Sequence, residues 1–308
     1  MRSPFPRPPF PDVVDSSLIT AFRACPQKAF MEYFLHYKTK SPSVHLHAGG
    51  AYAHGIEAAR RAFYEEGRDE ETSMALGVGA LLKFYGTFSC PEDSAKSATR
   101  MAGALEYYFT QYPMSTDEAV PITLPSGKRG IEFSFLEPLD NNHPVTGDPL
   151  LYAGRFDMIA DFAGGIFGED DKTTTSLGAS WSKQWDMRSQ FTAYCWGAAK
   201  AGLPLQGFLV RGVSILKTKY DTLQAVTYRP QWVIDRWYEQ TYRDIERMKA
   251  MWEANDWDYD LDSACQEYGG CTFRKLCLSS DPAPWIAMDF SRRKWDPVSR
   301  EETELEPL

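Results

Sequence analysis

Three side chains in one short stretch have the types and spacing for phosphoryl chemistry. The segment GRFDMIADFAGGIFGEDDKTTTS reads as two strands joined by a turn at Gly164-Gly165. That turn sets Asp157 opposite Lys172 and Asp170 opposite Ile159, with Asp170 and Lys172 on one face because strand side chains alternate. Opposite partners stand about 5 Å apart and diagonal ones about 7–8 Å. Two carboxylates that close repel unless they are protonated, paired or bridged by a cation. A hard divalent metal held by oxygen ligands resolves the conflict. The plain alternative is a surface hairpin with solvated charges. Glu169 and Asp171 also leave the register open, since a slip of one residue would bring them in instead.

A second set is thiol-based. Cys265, Cys271 and Cys277 recur at a fixed interval in CQEYGGCTFRKLC, where Gly269-Gly270 lets the backbone fold back and the thiols converge. A tetrahedral thiolate site needs a fourth ligand, and Cys25 in RACPQKAF is the candidate. Zinc on four thiolates and unrelated free cysteines are the competing readings. Cys90 and Cys195 read as ordinary buried cysteines, since nothing pairs Cys195 with a base.

The elements that must position these groups follow from periodicity and punctuation. Residues 1–15 form a proline-rich extended arm, and a helix from Ser16 or Ser17 is interrupted at Pro26. GGAYAHGIEAARRAFYEEG is an amphipathic helix closed by Gly67. With the patterns around 74–86 and 95–112 it makes a helical block over 55–112. Beyond Pro113 the texture alternates as strands do. A helix over 181–201, a strand GFLVRGVSIL and a long helix over 230–254 follow, then a tail after 281. This order predicts an α/β domain over 16–281 with a helical insertion and a C-terminal cysteine segment (265–277).

The hairpin resembles the catalytic hairpin of the PD-(D/E)xK nuclease superfamily, in which an Asp precedes an Asp-x-Lys by about a dozen residues. Two further stretches resemble RecB-like members in the expected order. GGAYAHGIEAA matches an upstream Gly-x-x-x-His helix through Gly50 and His54, and SQFTAYCWGAA matches a Gln-x-x-x-Tyr helix through Gln190 and Tyr194. The i,i+4 spacing of the last pair puts both on one helix face. The resemblance implies a restriction-endonuclease-like mixed sheet flanked by helices. It also implies that Asp157, Asp170 and His54 bind Mn²⁺ or Mg²⁺, and that Lys172 orients and helps deprotonate the attacking water or neutralises phosphate. Gln190 would position the lysine or the scissile phosphate, and Tyr194 would pack or touch the strand. The one-plus-three cysteine arrangement resembles the iron–sulfur nucleases of the superfamily, of AddB type and CRISPR-associated adaptation type with their phage relatives. There a 4Fe–4S cluster on Cys25, Cys265, Cys271 and Cys277 would clamp the two ends of the domain. His45 and His47, placed in a loop, and Glu132, a strand glutamate, are weaker candidates for extra ligands.

The resemblance implies a metal-dependent DNA exonuclease, cytoplasmic, acting on single strands or ends in recombination, repair or CRISPR adaptation beside a helicase, recombinase or adaptation protein. A non-catalytic DNA-end-binding module is the alternative, and a zinc-stabilised RNA-processing protein a third. Composition does not point there. The 308 residues carry 33 basic and 42 acidic side chains, a net charge of −9, which argues against coating nucleic acid through bulk charge. No apolar run is long enough to span a membrane, and the N-terminus lacks the apolar core of a signal peptide. Local basic groups occur at Arg60-Arg61, Lys217 with Lys219, Arg274-Lys275 and Arg292-Arg293-Lys294. Trp181 and Trp185 suit either base stacking or core packing.

Overall fold

The computed structural model describes residues 5–41, 43–261, 263–266, 270–299 and 301–306. The chain divides into two compact units: residues 1–41, 135–154 and 235–308 form the first, and 42–134 with 155–234 form the second. The predicted α/β class holds.

In the first unit, β1 (Val13–Asp15) runs parallel to β5 (Pro149–Arg155), which neighbours β4 (Ser134–Asn142). α1 (Ser16–Ala24) is capped by Asp15, whose carboxylate accepts from the Leu18 amide, one residue before the expected cap. Cys25 stands between α1 and α2 (Pro26–Ala29), where Pro26 supplies no amide to continue the helix. A π-helical turn follows (Phe30–Phe34), then β2 (Tyr37–Thr39). The proline-rich arm is not a free tail. Phe10 is buried against Phe34 and Trp252, and the Trp252 indole donates to the Pro8 carbonyl. Its first four residues, and Gly269 of the predicted glycine pair, lie outside the described residues. The stretch read as a tail folds too: β10 (Phe290–Trp295) pairs antiparallel with β2 and with β11 (Glu302–Leu305).

The second unit is built on a five-stranded mixed sheet in the order β3-β6-β7-β8-β9. The strands are β3 (Val120–Pro121), β6 (Met158–Phe162), β7 (Gly165–Thr174), β8 (Gly207–Ile215) and β9 (Tyr220–Tyr228). Only β7 and β8 are parallel. Their connection carries α6 (Ala179–Lys183) and α7 (Ser189–Lys200), as a parallel crossover requires. The helical block is α3 (Val44–Tyr64), α4 (Glu70–Tyr85) and α5 (Ala98–Gln111). Tyr52, Ile56, Leu81, Leu105 and Tyr108 of these helices share one core with Val213 and Ile215 of β8. α3 and α4 meet at bare backbone, where a Cβ on Gly77 would lie 2.7 Å from the Gly55 carbonyl oxygen. The other face of the sheet is covered from α7, with Phe191 stacked on Phe208 at 4.4 Å and Phe208 against Phe156.

The predicted helix over 230–254 is α8 (Gln231–Ala254). Short helices α9 (Ser263–Gln266), α10 (Arg274–Cys277) and α11 (Ala283–Asp289) complete the first unit. No helix among the described residues is long and apolar enough to cross a membrane.

Candidate active site

The hairpin of β6 and β7 turns at Ala163-Gly164, whose φ angles are 51° and 78°. Positive φ at both central residues is the two-residue turn that matches strand twist. The pairs run from Phe162 with Gly165 to Met158 with Glu169. This corrects the expected turn at Gly164-Gly165: Gly168, not Asp170, faces Ile159. One further step in that register sets Asp157 against Asp170 rather than Lys172. A Cβ on Gly165 would lie 2.5 Å from the end of the Gln206 side chain, which would have to swing away. The slip is even, so it preserves faces, and Asp170 and Lys172 share one face as a close ion pair.

Asp157 lies just before β6, where the ladder to β7 has ended. Its Oδ2 accepts the Asp171 amide at 3.0 Å, taking the place of a backbone partner. Burial pushes the Asp170 carboxyl up to about 7; the Lys172 ammonium opposes this and the Asp157 carboxylate adds to it. For Lys172, burial would favour the neutral amine, but Asp170 and Asp157 outweigh it and hold the group above its usual range. Lys172 is therefore an ammonium at neutral pH. On α7, Gln190 donates to the Tyr194 hydroxyl at 3.2 Å. Burial raises the Tyr194 phenol, Gln190 opposes this, and Asp170 and Asp157 add to it. The structure thus gathers Asp157, Asp170, Lys172 and Tyr194, with Gln190 one hydrogen bond away.

His54 is placed differently. Its exposed ring stacks on Phe84 at 4.4 Å. Among the described residues no group of three or more His, Cys, Asp or Glu side chains is drawn close enough to hold a metal ion. His45 and His47 are not in a loop, because α3 begins at Val44. The His47 ring stacks on Phe88 at 4.2 Å, and its Nε2 stands 3.0 Å from the Tyr85 carbonyl. Glu132 lies outside the strands with φ 53° and pairs with Arg155, which also reaches Glu57 at 3.5 Å. Glu57 and Glu132 border a void of about 10 Å³ together with Arg60, Asp157 and Asp171.

The opposite face of β7 carries a network that sequence reasoning missed. Glu169 and Asp171 are bridged by the buried Arg60 of α3, which also donates to the Tyr108 hydroxyl at 2.8 Å. Arg211 of β8 holds Asp117 through two contacts of 2.6 Å and stacks over Tyr112. Burial raises the carboxyls of Glu169 and Asp171, and the two arginines oppose it. The signal was present: two acids on the hidden face of an interior strand demand cations from elsewhere. Arg60, read as part of a basic pair, is 3% exposed and unavailable to nucleic acid. Lys217 pairs with Asp93, Lys275 with Asp289 and Arg293 with Glu302. Trp181 and Trp185 are buried edge to face at 5.4 Å, so they are core.

In the first unit, Cys25, Cys265, Cys271 and Cys277 all line one cavity of about 270 Å³, with Lys28 and Arg274 on its wall. Burial pushes the Cys277 thiol up to about 11, and Cys271, Cys25 and Cys265 add to the rise. The Cys271 amide donates to the Cys265 carbonyl at 3.0 Å. Cys195 is buried, and burial holds its thiol near 12.

No curated protein sequence matches the chain. A crystal structure of a presumptive exonuclease from Eubacterium rectale superposes with a TM-score of 0.48 at 13% identity, covering 87% of this chain and 94% of that one. A structure of a protein named SSO0001 gives 0.27 at 16% identity, covering 62% and 74%. Both similarities are too weak to add to the assignment. The sequence model of the PD-(D/E)XK nuclease superfamily, in contrast, matches residues 16–278, from the first helix through all four lining cysteines, and the chain belongs to that superfamily.

Proposed function

We propose that the protein is a metal-dependent deoxyribonuclease that hydrolyses phosphodiester bonds, acting as an exonuclease on single strands or DNA ends. The observation that supports this reading best is the pairing of Lys172 with a buried Asp170 whose carboxyl is raised toward neutrality beside Asp157. The buried Asp170 carboxylate and the partly exposed Asp157 carboxylate beside it repel one another, and such a pair is the donor set a hard divalent cation relieves. Asp157 and Asp170 would hold Mn²⁺ or Mg²⁺, with His54 of α3 as a nitrogen donor after its ring leaves Phe84. A bound cation supplies Lewis-acid polarisation of the phosphoryl oxygen and a more acidic water. Lys172, held as an ammonium, neutralises the scissile phosphate and orients the nucleophile, and the Tyr194 hydroxyl with Gln190 limits its excursions. Its protonated state favours charge stabilisation over proton abstraction by the lysine.

The cysteine cavity supports the reading of a 4Fe–4S cluster held by Cys25, Cys265, Cys271 and Cys277. All four thiols line one cavity of about 270 Å³, and four thiolates are the donor set of such a cluster, with zinc the competing metal. Such a group would tie Cys25 to a segment some 240 residues later, a cross-link expected to contribute several kcal/mol through chain entropy. Cys25→Ala and Cys271→Ala should give colourless, poorly folded protein, and brown, fully stable variants would remove the assignment. DNA is the expected partner, with a helicase, recombinase or CRISPR adaptation protein as an accessory.

The test is hydrolysis of end-labelled single- and double-stranded DNA with Mn²⁺ or Mg²⁺ by wild type, Asp157→Asn and Lys172→Ala. Both substitutions should lower the rate at least ~100-fold. Equal rates in wild type and Lys172→Ala would leave only a DNA-end-binding module.

A further inference from the structure

β7 is an interior strand whose residues 167–170 are buried, and such strands normally read as apolar runs. Glu169 and Asp171 break that rule on the face turned toward α3 and α5. Leaving water costs each ion several kcal/mol, and apolar residues of similar volume often serve stability as well. What these two acids contact on that face points to a role in positioning.

We propose that Arg60 is a positioning residue for the candidate active site: through Asp171 it fixes the backbone amide that holds the Asp157 carboxylate, and it ties α3 to that point. The inference rests on the nuclease reading for its consequence in catalysis, though the geometry stands without it. One Arg60 Nη donates to Asp171 Oδ2 at 2.8 Å, and the other donates to Glu169 and, at 2.8 Å, to the Tyr108 hydroxyl. Arg211 is the residue of β8 in register with Asp171, yet its guanidinium is spent on Asp117 and Glu169. Among the described residues, Arg60 is thus the cation at ion-pair distance from Asp171. The Asp171 amide lies past the end of the β6–β7 ladder, so Asp157 Oδ2 is its partner at 3.0 Å. Arg60 also lies six residues after His54 on α3, about 9 Å along the axis. Fixing Arg60 fixes the helix that presents His54. A lysine cannot reproduce this, because one ammonium lacks the planar fork that spans both carboxylates.

The experiment compares wild type with Arg60→Lys and with the triple variant Arg60→Met/Glu169→Gln/Asp171→Asn, which removes Arg60 together with the two carboxylates it bridges and leaves the Arg211–Asp117 pair. Four quantities are read: Tm, hydrogen-exchange protection of the residue 171 amide, Mn²⁺ affinity by titration calorimetry, and kcat and KM on end-labelled DNA. In both variants protection at residue 171 should fall, Mn²⁺ affinity and kcat should drop about 10–100-fold, and KM should change little. The triple variant should recover Tm without recovering Mn²⁺ affinity, which a merely structural role would restore. A folded triple variant with protection, Mn²⁺ affinity and kcat within about twofold of wild type overturns the positioning role. A wild type that neither binds Mn²⁺ nor cuts DNA overturns the nuclease reading instead, while lost amide protection in Arg60→Lys still supports the positioning.

Discussion

Arg211 offers the sharpest test of how the second unit tolerates buried charge. Its side chain is 2% exposed, it holds Asp117 through two contacts of 2.6 Å, and it reaches Glu169 at 3.5 Å. Arg211→Met keeps much of the volume and the contact over Tyr112 but leaves the Asp117 carboxylate, 9% exposed, without its cation. Glu169, with no exposure at all, is left with Arg60 as its cation among the described residues and the Tyr108 hydroxyl at 3.3 Å. Removing one partner of a buried pair costs about 3–5 kcal/mol, because the other charge stays desolvated. For a unit of this size that is a fall in Tm on the order of 10 °C. Arg211→Met/Asp117→Asn removes the orphaned charge as well and should recover most of the loss, with a coupling energy of about 1.5–3 kcal/mol. The assay is urea denaturation of the wild type, both single variants and the double variant at neutral pH. If Arg211→Met costs under about 1 kcal/mol, or the two substitutions simply add, the network does not bind these charges to one another and the reasoning fails.

Other consequences are simpler to check. Gly207→Ala would place a Cβ 1.9 Å from the Thr227 carbonyl oxygen, across the β8–β9 ladder, and should yield no folded protein by circular dichroism. Gly212→Ala meets the Trp181 ring at 2.3 Å, a side chain that can shift, so a loss of about 1–3 kcal/mol with the fold kept is expected from denaturation. Burial, with Lys294, Arg292 and Lys38 nearby, lowers the His36 imidazole from 6.5 to about 4. The unfolded chain thus takes up a proton before the folded one, and stability present above pH 6.5 declines as pH falls toward 4. With His36 partly exposed the loss should be held to about 1 kcal/mol. His36→Asn, which suits the φ of 62°, should flatten the slope, and an unchanged one would refute it.

Most of the architecture could be read from periodicity, because the strongest signals were local. The i,i+4 spacing of Gln190 and Tyr194 translated directly into a hydrogen bond on one helix face. The four cysteines line one cavity, with Cys25 at the helix break before Pro26 and the Cys271 amide bonded to the Cys265 carbonyl, although the placement of that group of cysteines was not legible. What was hidden depended on partners distant in sequence. The strands after 281 gain meaning only beside β2, about 250 residues earlier, and Arg60 gains its role only from the acids it meets at 169 and 171. The hairpin register turned on which glycine spends its freedom in the turn. The structure places Ala163 and Gly164, both with positive φ, at the turn, and leaves Gly165 in the strand beside Gln206.

The run Glu169-Asp170-Asp171-Lys172 looked ambiguous because any three of its charges could make a site. Alternation removes the ambiguity once each face has a neighbour. Even positions meet α7, where Tyr194 lies within electrostatic reach of Asp170 and Lys172. Odd positions meet Arg60. Asp170 and Lys172 balance each other, so a cation added to that face meets the unmatched carboxylate of Asp157. Glu169, Asp171 and Asp117 face Arg60 and Arg211 on the other side, so each face is one cation short of balance, but the odd-face groups are almost wholly buried while Lys172 is 33% exposed and Asp157 partly exposed. The difference between the faces is therefore one of access and not of charge count: an ion or a phosphate arriving from solvent can reach the even face, whereas Arg60 and Arg211 close the odd one.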